Sequence, residues 1–202
     1  MDILLELHYL PCIQFFSKFE AYDHVIIDDV ESFEKQNYRN RCSIAGANGK
    51  IDLTIPVHQS RKKLPIREIL IDNHIHWQHQ HWQSIQSAYG KTAFFEHYAH
   101  LLAPVYEKPF DKLFDFNLEL LLILMKILKI EPSKLLQLSE TNISQSEVLD
   151  FRNKIHPKPK FQAEDPLFTP TRYQQAFETK NGFIPNLGVI DEVFNLGVRH
   201  KG

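Results

Sequence analysis

Apolar residues fall in short bursts along the start of the chain and in helical stripes along much of the rest. Residues 3–7 form an apolar run broken by one charge and closed by Tyr9-Leu10-Pro11, which predicts a first strand. Ile13, Phe16 and Phe19 then recur at roughly helical spacing within 12–19, and residues 24–28 make a second short apolar run. Strand, helix, strand within the first 28 residues predicts a βαβ-type start with parallel strands.

Residues 41–57 alternate on either side of Ala47-Asn48-Gly49. Asn-Gly tolerates the positive φ angles of a tight turn, so this stretch predicts a β-hairpin. Residues 66–71 predict a further strand, and 76–91 and 94–106 predict helices, the second ending before Pro109. The most apolar stretch, 118–130, predicts a core helix capped by Asp115 or Asn117. It is broken by Glu119, Lys126 and Lys129, and a membrane span needs about 20 apolar residues. Further on, 135–138 predicts a short strand, and 144–155, 173–177 and 190–196 predict helices, the last ending at Gly197. Residues 156–170 carry four prolines and no period, so they read as either a lid or a spacer. The expected architecture is one α/β domain over residues 1–202: a mixed β-sheet with helices on its faces and a hairpin at 41–57.

Composition narrows the class without naming a reaction. The 202 residues are 43% hydrophobic and 24% charged, which suits one globular domain. A formal charge of −2 leaves no electrostatic footprint for nucleic acid or an anionic membrane, and Arg61-Lys62-Lys63 reads as a solvated loop. Cys12 and Cys42 fit no metal or redox spacing, and the first residues lack a secretory signature. Free thiols and a cytoplasmic location are expected. Cys12 also opens a predicted helix, where a thiolate is favoured.

The chemistry candidates begin with residues 74–82, HIHWQHQHW, which hold four of the eleven histidines. On a helix, Trp77, His81, Ile85 and Ala88 share one stripe, flanked by Trp82 and Tyr89, while His76 and His79 point away. His74 precedes the helix. No regular structure gathers the four around one ion, whereas zinc needs three or four converging ligands, so no metal site is expected. His81 on the inward stripe is either a hydrogen-bonded core histidine or the base of a pocket.

Ligands of open α/β sheets bind outside the carboxyl ends of strands, which puts Tyr9, Asp28 and Asp29 on one rim. Arg39, Asn40 and Arg41 precede the hairpin and suit a carboxylate or phosphate; on a strand the two arginines share a face. Asn186 lies in the rigid turn Ile184-Pro185-Asn186-Leu187, either orienting a ligand or capping the helix that begins at 190. No Gly-rich phosphate loop or G-x-S-x-G elbow is present, and the residues name no cofactor.

Several phrases, taken in order, resemble the WbqC-like family: YLPCIQFFSKF (9–19), HVIIDDV (24–30), YRNRCSI (38–44), DLTIPV (52–57), IREILID (66–72), WQHQHWQSIQSAYGK (77–91), FDFNLEL (114–120) and GFIPNLGVIDEVFNLG (182–197). The short linking segments resemble the form found in Bacteroidetes-type bacteria. Family members occur among genes for O-antigen and other surface sugars. The resemblance therefore implies a cytoplasmic transferase that moves an acyl or aminoacyl group onto an amino sugar. In that reading His81 is the acid/base, Asp28 orients a hydroxyl or metal, and Arg39 and Arg41 hold an anionic group. Tyr9, Asp29, Asn40, Trp77 and Asn186 complete a site for a small-molecule substrate. Two departures stand out: many members have His-Gln-Pro where this chain has Leu5-Glu6-Leu7, and Ser where it has Gly188. The alternative implied by those losses is a non-catalytic small-molecule-binding protein that keeps the family pocket.

Overall fold

Runs of two or three apolar residues, too short to stand alone, become strands because each is buried between neighbours. The computed structural model describes residues 1–58, 63–143 and 147–198. In it, β1 (Ile3–Leu5), β2 (Val25–Ile27), β5 (Leu135–Gln137) and β6 (Leu149–Asp150) form one parallel sheet in the order β5-β2-β1-β6. Leu4 pairs with Ile26 on one side and with Asp150 on the other. Central parallel strands buried on both faces read as continuous apolar runs, which is the form of Ile-Leu-Leu and Val-Ile-Ile.

The two faces are covered differently. Ile3, Leu5, Val25 and Ile27 join the main core, which takes in the buried residues of the long helices. Leu4 and Ile26 face a smaller cluster built with Leu138 and edged by Leu136, Ile143 and Val148. Among the described residues the flanking helices pack on the first face, and the segment following β5 covers the other. Parallel and antiparallel pairing also separate. The hairpin β3 (Arg41–Gly46) and β4 (Gly49–Thr54) makes its own two-stranded sheet. Its tight turn gives the positive φ, +108°, to Gly49 alone.

The helices are α1 (Ile13–Ala21), α2 (Trp77–Tyr89), α3 (Phe95–Glu107), α4 (Leu113–Ile127), α5 (Glu178–Asn181) and α6 (Ile190–Leu196). α1 is the crossover between β1 and β2 and buries Phe15, Phe16 and Phe19. α4 runs through the core with Leu120, Leu121 and Leu124 fully buried. Asp115 and Asn117 lie inside α4 rather than at its cap. Tyr89 ties the layers together: its hydroxyl accepts from the Ala45 amide (3.0 Å) and donates to the buried Asp191 of α6 (2.8 Å).

Three local expectations fail. Residues 66–71 are a 3-10 turn (Ile66–Glu68) followed by two isolated bridges, Leu70 to Lys112 and Ile71 to Val57. The helix expected over 144–155 contains the parallel pairing of β6 instead; Ser144 lies outside the described residues, as do Arg61 and Lys62. The short helix expected at 173–177 forms at Glu178–Asn181. No helix of the described residues is long and apolar enough to cross a membrane.

Replacing Leu124 by Ala is expected to cost about 2–5 kcal/mol through the cavity it leaves. Leu122→Ala, at a position 47% exposed on the same helix, should stay within about 0.5 kcal/mol. Denaturant unfolding of both variants checks the orientation of α4.

Candidate functional site

The chain leaves β1 toward β2 on one side and returns to β6 on the other, so the sheet switches direction between β1 and β6. A crevice outside the carboxyl ends of strands at such a point is where open α/β sheets bind ligands. Here the residues past β1 meet those past β6. The Glu6 carboxylate contacts His8 Nε2 at 3.0 Å through one oxygen and accepts the Asn153 amide at 2.8 Å through the other. Glu6 and His8 are each 1% exposed. Burial alone raises the Glu6 pKa, but the His8 hydrogen bond, the charges of His8 and Arg39 and the Asn153 amide together hold it below the ordinary glutamate value.

A carboxylate can only accept, so His8 donates from Nε2. Its Nδ1 is buried and without a partner. A carboxylate that fixes an imidazole and leaves the far nitrogen open is the orienting half of a base-catalysis pair. His8, like Glu6, lies past the end of β1, and the two side chains meet there. Its ring is held between Phe15 (5.0 Å) and Tyr38 (5.3 Å).

Arg39 borders this pair. Its Nη1 donates to Asn153 Oδ1 (2.8 Å), and its Nε (2.7 Å) and Nη2 fork onto Glu31. Beside it, Asp28 accepts from Arg152 Nη1 and from the Val30 amide. Asp29 turns the other way, to Arg67 (2.9 Å) and the Ser139 amide (2.9 Å). Burial would raise the Asp29 pKa; the Ser139 and Arg67 hydrogen bonds outweigh it and hold the carboxyl low.

A cavity of about 430 Å³ opens alongside. Gln14 of α1, Tyr38, Ser43 of β3 and Asn186 line it, and Pro157 and Asp165 of the Pro-rich segment close over them. Tyr38, which packs on His8, carries the buried pair to the cavity wall. Its lining of amides, hydroxyls, the charged Lys50 and Asp165 and two aromatic rings, Tyr38 and Phe168, suits a small polar ligand. Gly188, hydrogen-bonded through its amide to the Ser43 carbonyl (2.9 Å), lies against the same wall. A Cβ there would meet the Leu10 carbonyl at 3.3 Å, so a serine requires a small shift.

The expected site residues divide into groups. Trp77 and His81 share an inward stripe with Ile85 and Ala88. The Tyr9 hydroxyl contacts His81 Nδ1 (2.9 Å) and the Tyr106 hydroxyl (3.0 Å), and Trp77 packs edge-on against the His81 ring. Burial lowers the His81 pKa to about 4, opposed by a backbone hydrogen bond with Thr54. The ring is thus buried in the core, with Nδ1 engaged by Tyr9. Arg39 and Arg41 do not share a face: Arg39 precedes β3 and is buried, while Arg41 is half-exposed against Thr54 (3.2 Å). Asn40 donates to the Ile55 carbonyl (2.9 Å). Asn186 caps α1 rather than α6, accepting the Gln14 amide at 2.9 Å. Cys12 is buried, and its thiol is pushed up to about 11 by desolvation, so no thiolate forms there. Among the described residues, no three His, Cys, Asp or Glu side chains gather to hold a metal ion.

Glu6, Lys18, Asp165, Arg152 and Asn153 were not expected. Glu6 and Lys18 carried a signal, as charges inside apolar runs; the other three depend on chain pairings that only folding reveals.

Compared with known proteins, residues 7–158 match the WbqC-like protein family. Over 104 residues the chain is 33% identical to an uncharacterized protein of Mycobacterium tuberculosis, a stretch covering 51% of this chain and 45% of that relative. The chain thus spans less than half the length of that relative. No solved structure matches.

Because His81 stays neutral in the fold down to about pH 4 and an unfolded histidine protonates near 6.5, acid favours unfolding between those values. Stability is expected to fall by about 3 kcal/mol across that window from this residue alone. Denaturant midpoints at pH 7 and 4.5 for wild type and His81→Gln test this; equal slopes in the two proteins would contradict it.

Proposed function

The chain belongs to the WbqC-like protein family, and from that membership we propose that it transfers an acyl or aminoacyl group to an amino sugar during assembly of a surface polysaccharide. The observation that carries this is the buried Glu6–His8 pair, whose Nδ1 has no partner among the described residues, packed through Tyr38 against the polar cavity under the Pro-rich segment. The acid/base role passes in this proposal from His81, which is buried in the core with Nδ1 bonded to Tyr9, to His8. Asp28 and Arg39, held by Arg152 and Glu31, position the walls rather than touch substrate. In the reaction the sugar amine bonds to the acyl carbon, the donor's leaving group departs with its bonding electrons, and His8 takes the proton shed by nitrogen.

A second reading, a sugar-binding protein without turnover, is favoured by Leu5-Glu6-Leu7 standing where many relatives have His-Gln-Pro. One experiment separates the two. Activated acyl and glycyl donors are incubated with amino sugars, and acylated product is followed by mass spectrometry. Turnover by wild type should fall about 10²–10⁴-fold in His8→Gln, with its melting temperature nearly unchanged. Sugar binding without product in wild type would favour the second reading.

A further inference from the structure

Lys18 is 0% exposed, yet it carries a charge that needs a partner. Its ion pair is with Asp165, which belongs to the Pro-rich segment. Gln14, one helical turn before Lys18 on the same face of α1, donates through Nε2 to the same Asp165 oxygen at 2.7 Å. Gln14 has further contacts that hold it in place besides Asp165. Gln14 is oriented by Asn186, which bonds its backbone amide (2.9 Å) and its side-chain oxygen (3.0 Å). Lys18 lies over the Phe151 ring at 5.2 Å. Two donors thus converge on one oxyanion, and Gln14 and Asp165 both line the 430 Å³ cavity.

Apart from the contacts of Asp165, the segment is anchored to the rest of the described residues by neutral groups or by a lysine on an amide: Ala163 to the Lys154 carbonyl (3.1 Å) and Lys158 to Gln36 (2.7 Å). A lysine this buried cannot be left unpaired, so lifting Asp165 away requires another anion in its place. The contact is therefore built for exchange.

We propose that Lys18 and Gln14 form an oxyanion seat for the cavity's ligand, occupied here by Asp165 as an internal stand-in, and that a phosphate or carboxylate on the ligand displaces Asp165 and frees the segment. This deepens the functional reading above and rests on the cavity being the substrate site: one substrate would bear an oxyanion as well as a sugar or acyl part.

Calorimetric titration with inorganic pyrophosphate and with acetate tests the seat without requiring turnover. Asp165→Ala should bind one of them at least tenfold tighter than wild type. A gain for pyrophosphate identifies a phosphate-bearing ligand, and a gain for acetate a carboxylate. Adding Lys18→Met to Asp165→Ala should abolish the gain. No gain in Asp165→Ala, or a gain that survives Lys18→Met, overturns the proposal. Wild type offers an independent readout should the variants fold poorly: the tighter-binding probe should speed trypsin cleavage after Lys160, which Phe161 follows, and an unchanged rate overturns displacement. A tenfold gain in a protein that never acylates a sugar would reject the transferase and keep the seat. Turnover without any gain would do the reverse.

Discussion

The Arg39 guanidinium has almost no exposed surface, and the polar half of the molecule is arranged around that fact. A buried charge is tolerated only when nearly every donor is met, and breaking such a pair typically costs about 3–5 kcal/mol. Glu31 meets the fork, Asn153 takes the remaining arm, and the backbone of Arg39 bonds Asn37 and Asn117. These partners come from the β2–β3 connection, the turn after β6 and the middle of α4. One residue, through its side chain and its backbone, therefore joins three segments, and its guanidinium holds Asn153 where its amide can reach Glu6. Burial still leaves Glu31 above the ordinary glutamate pKa despite its arginine, a sign of how dry this junction is.

Water exclusion also explains what the charges here do. Asp28, Asp29, Glu31 and Asp165 are each matched by an arginine or lysine from another segment. Pairs of this kind are weakly screened by salt compared with exposed ones. They hold loops in place. The ring cluster of Tyr9, Trp77 and His81 does the same work on the apolar side, with hydroxyl and imidazole hydrogen bonds replacing ion pairs.

Much of the fold was legible in the pattern of apolar positions. The βαβ opening, the hairpin, α2, α3 and α6 follow from local periodicity, and the helical stripe placed Trp77 and His81 inward while sending His76 and His79 to solvent. What local periodicity misses is pairing over distance. β6 is two residues long, one of them aspartate, and it becomes a strand only because β1 offers it an edge. Arg39 and Asp28 look like surface ligands in sequence, since nothing near them announces Glu31, Asn153 or Arg152 as partners. The strongest clue available was the opposite kind: Glu6, His8 and Lys18, polar residues in runs that otherwise belong to the core. Those three lie closest to the chemistry proposed for the chain.

The order of the sheet has a consequence in time. β1 pairs with β2 after a short crossover, but its other edge waits for Asp150. At about 5–20 residues per second of synthesis, that wait lasts roughly 7–30 s. Until then Leu4 has one neighbour, Glu6 lacks its Asn153 amide and Arg39 lacks its third arm. Late closure of a distant contact is intrinsically slow and leaves an apolar edge open to misassembly, a hazard reduced here by a strand only three residues long. On a ribosome, the polar crevice is the last part of the central sheet to come into existence.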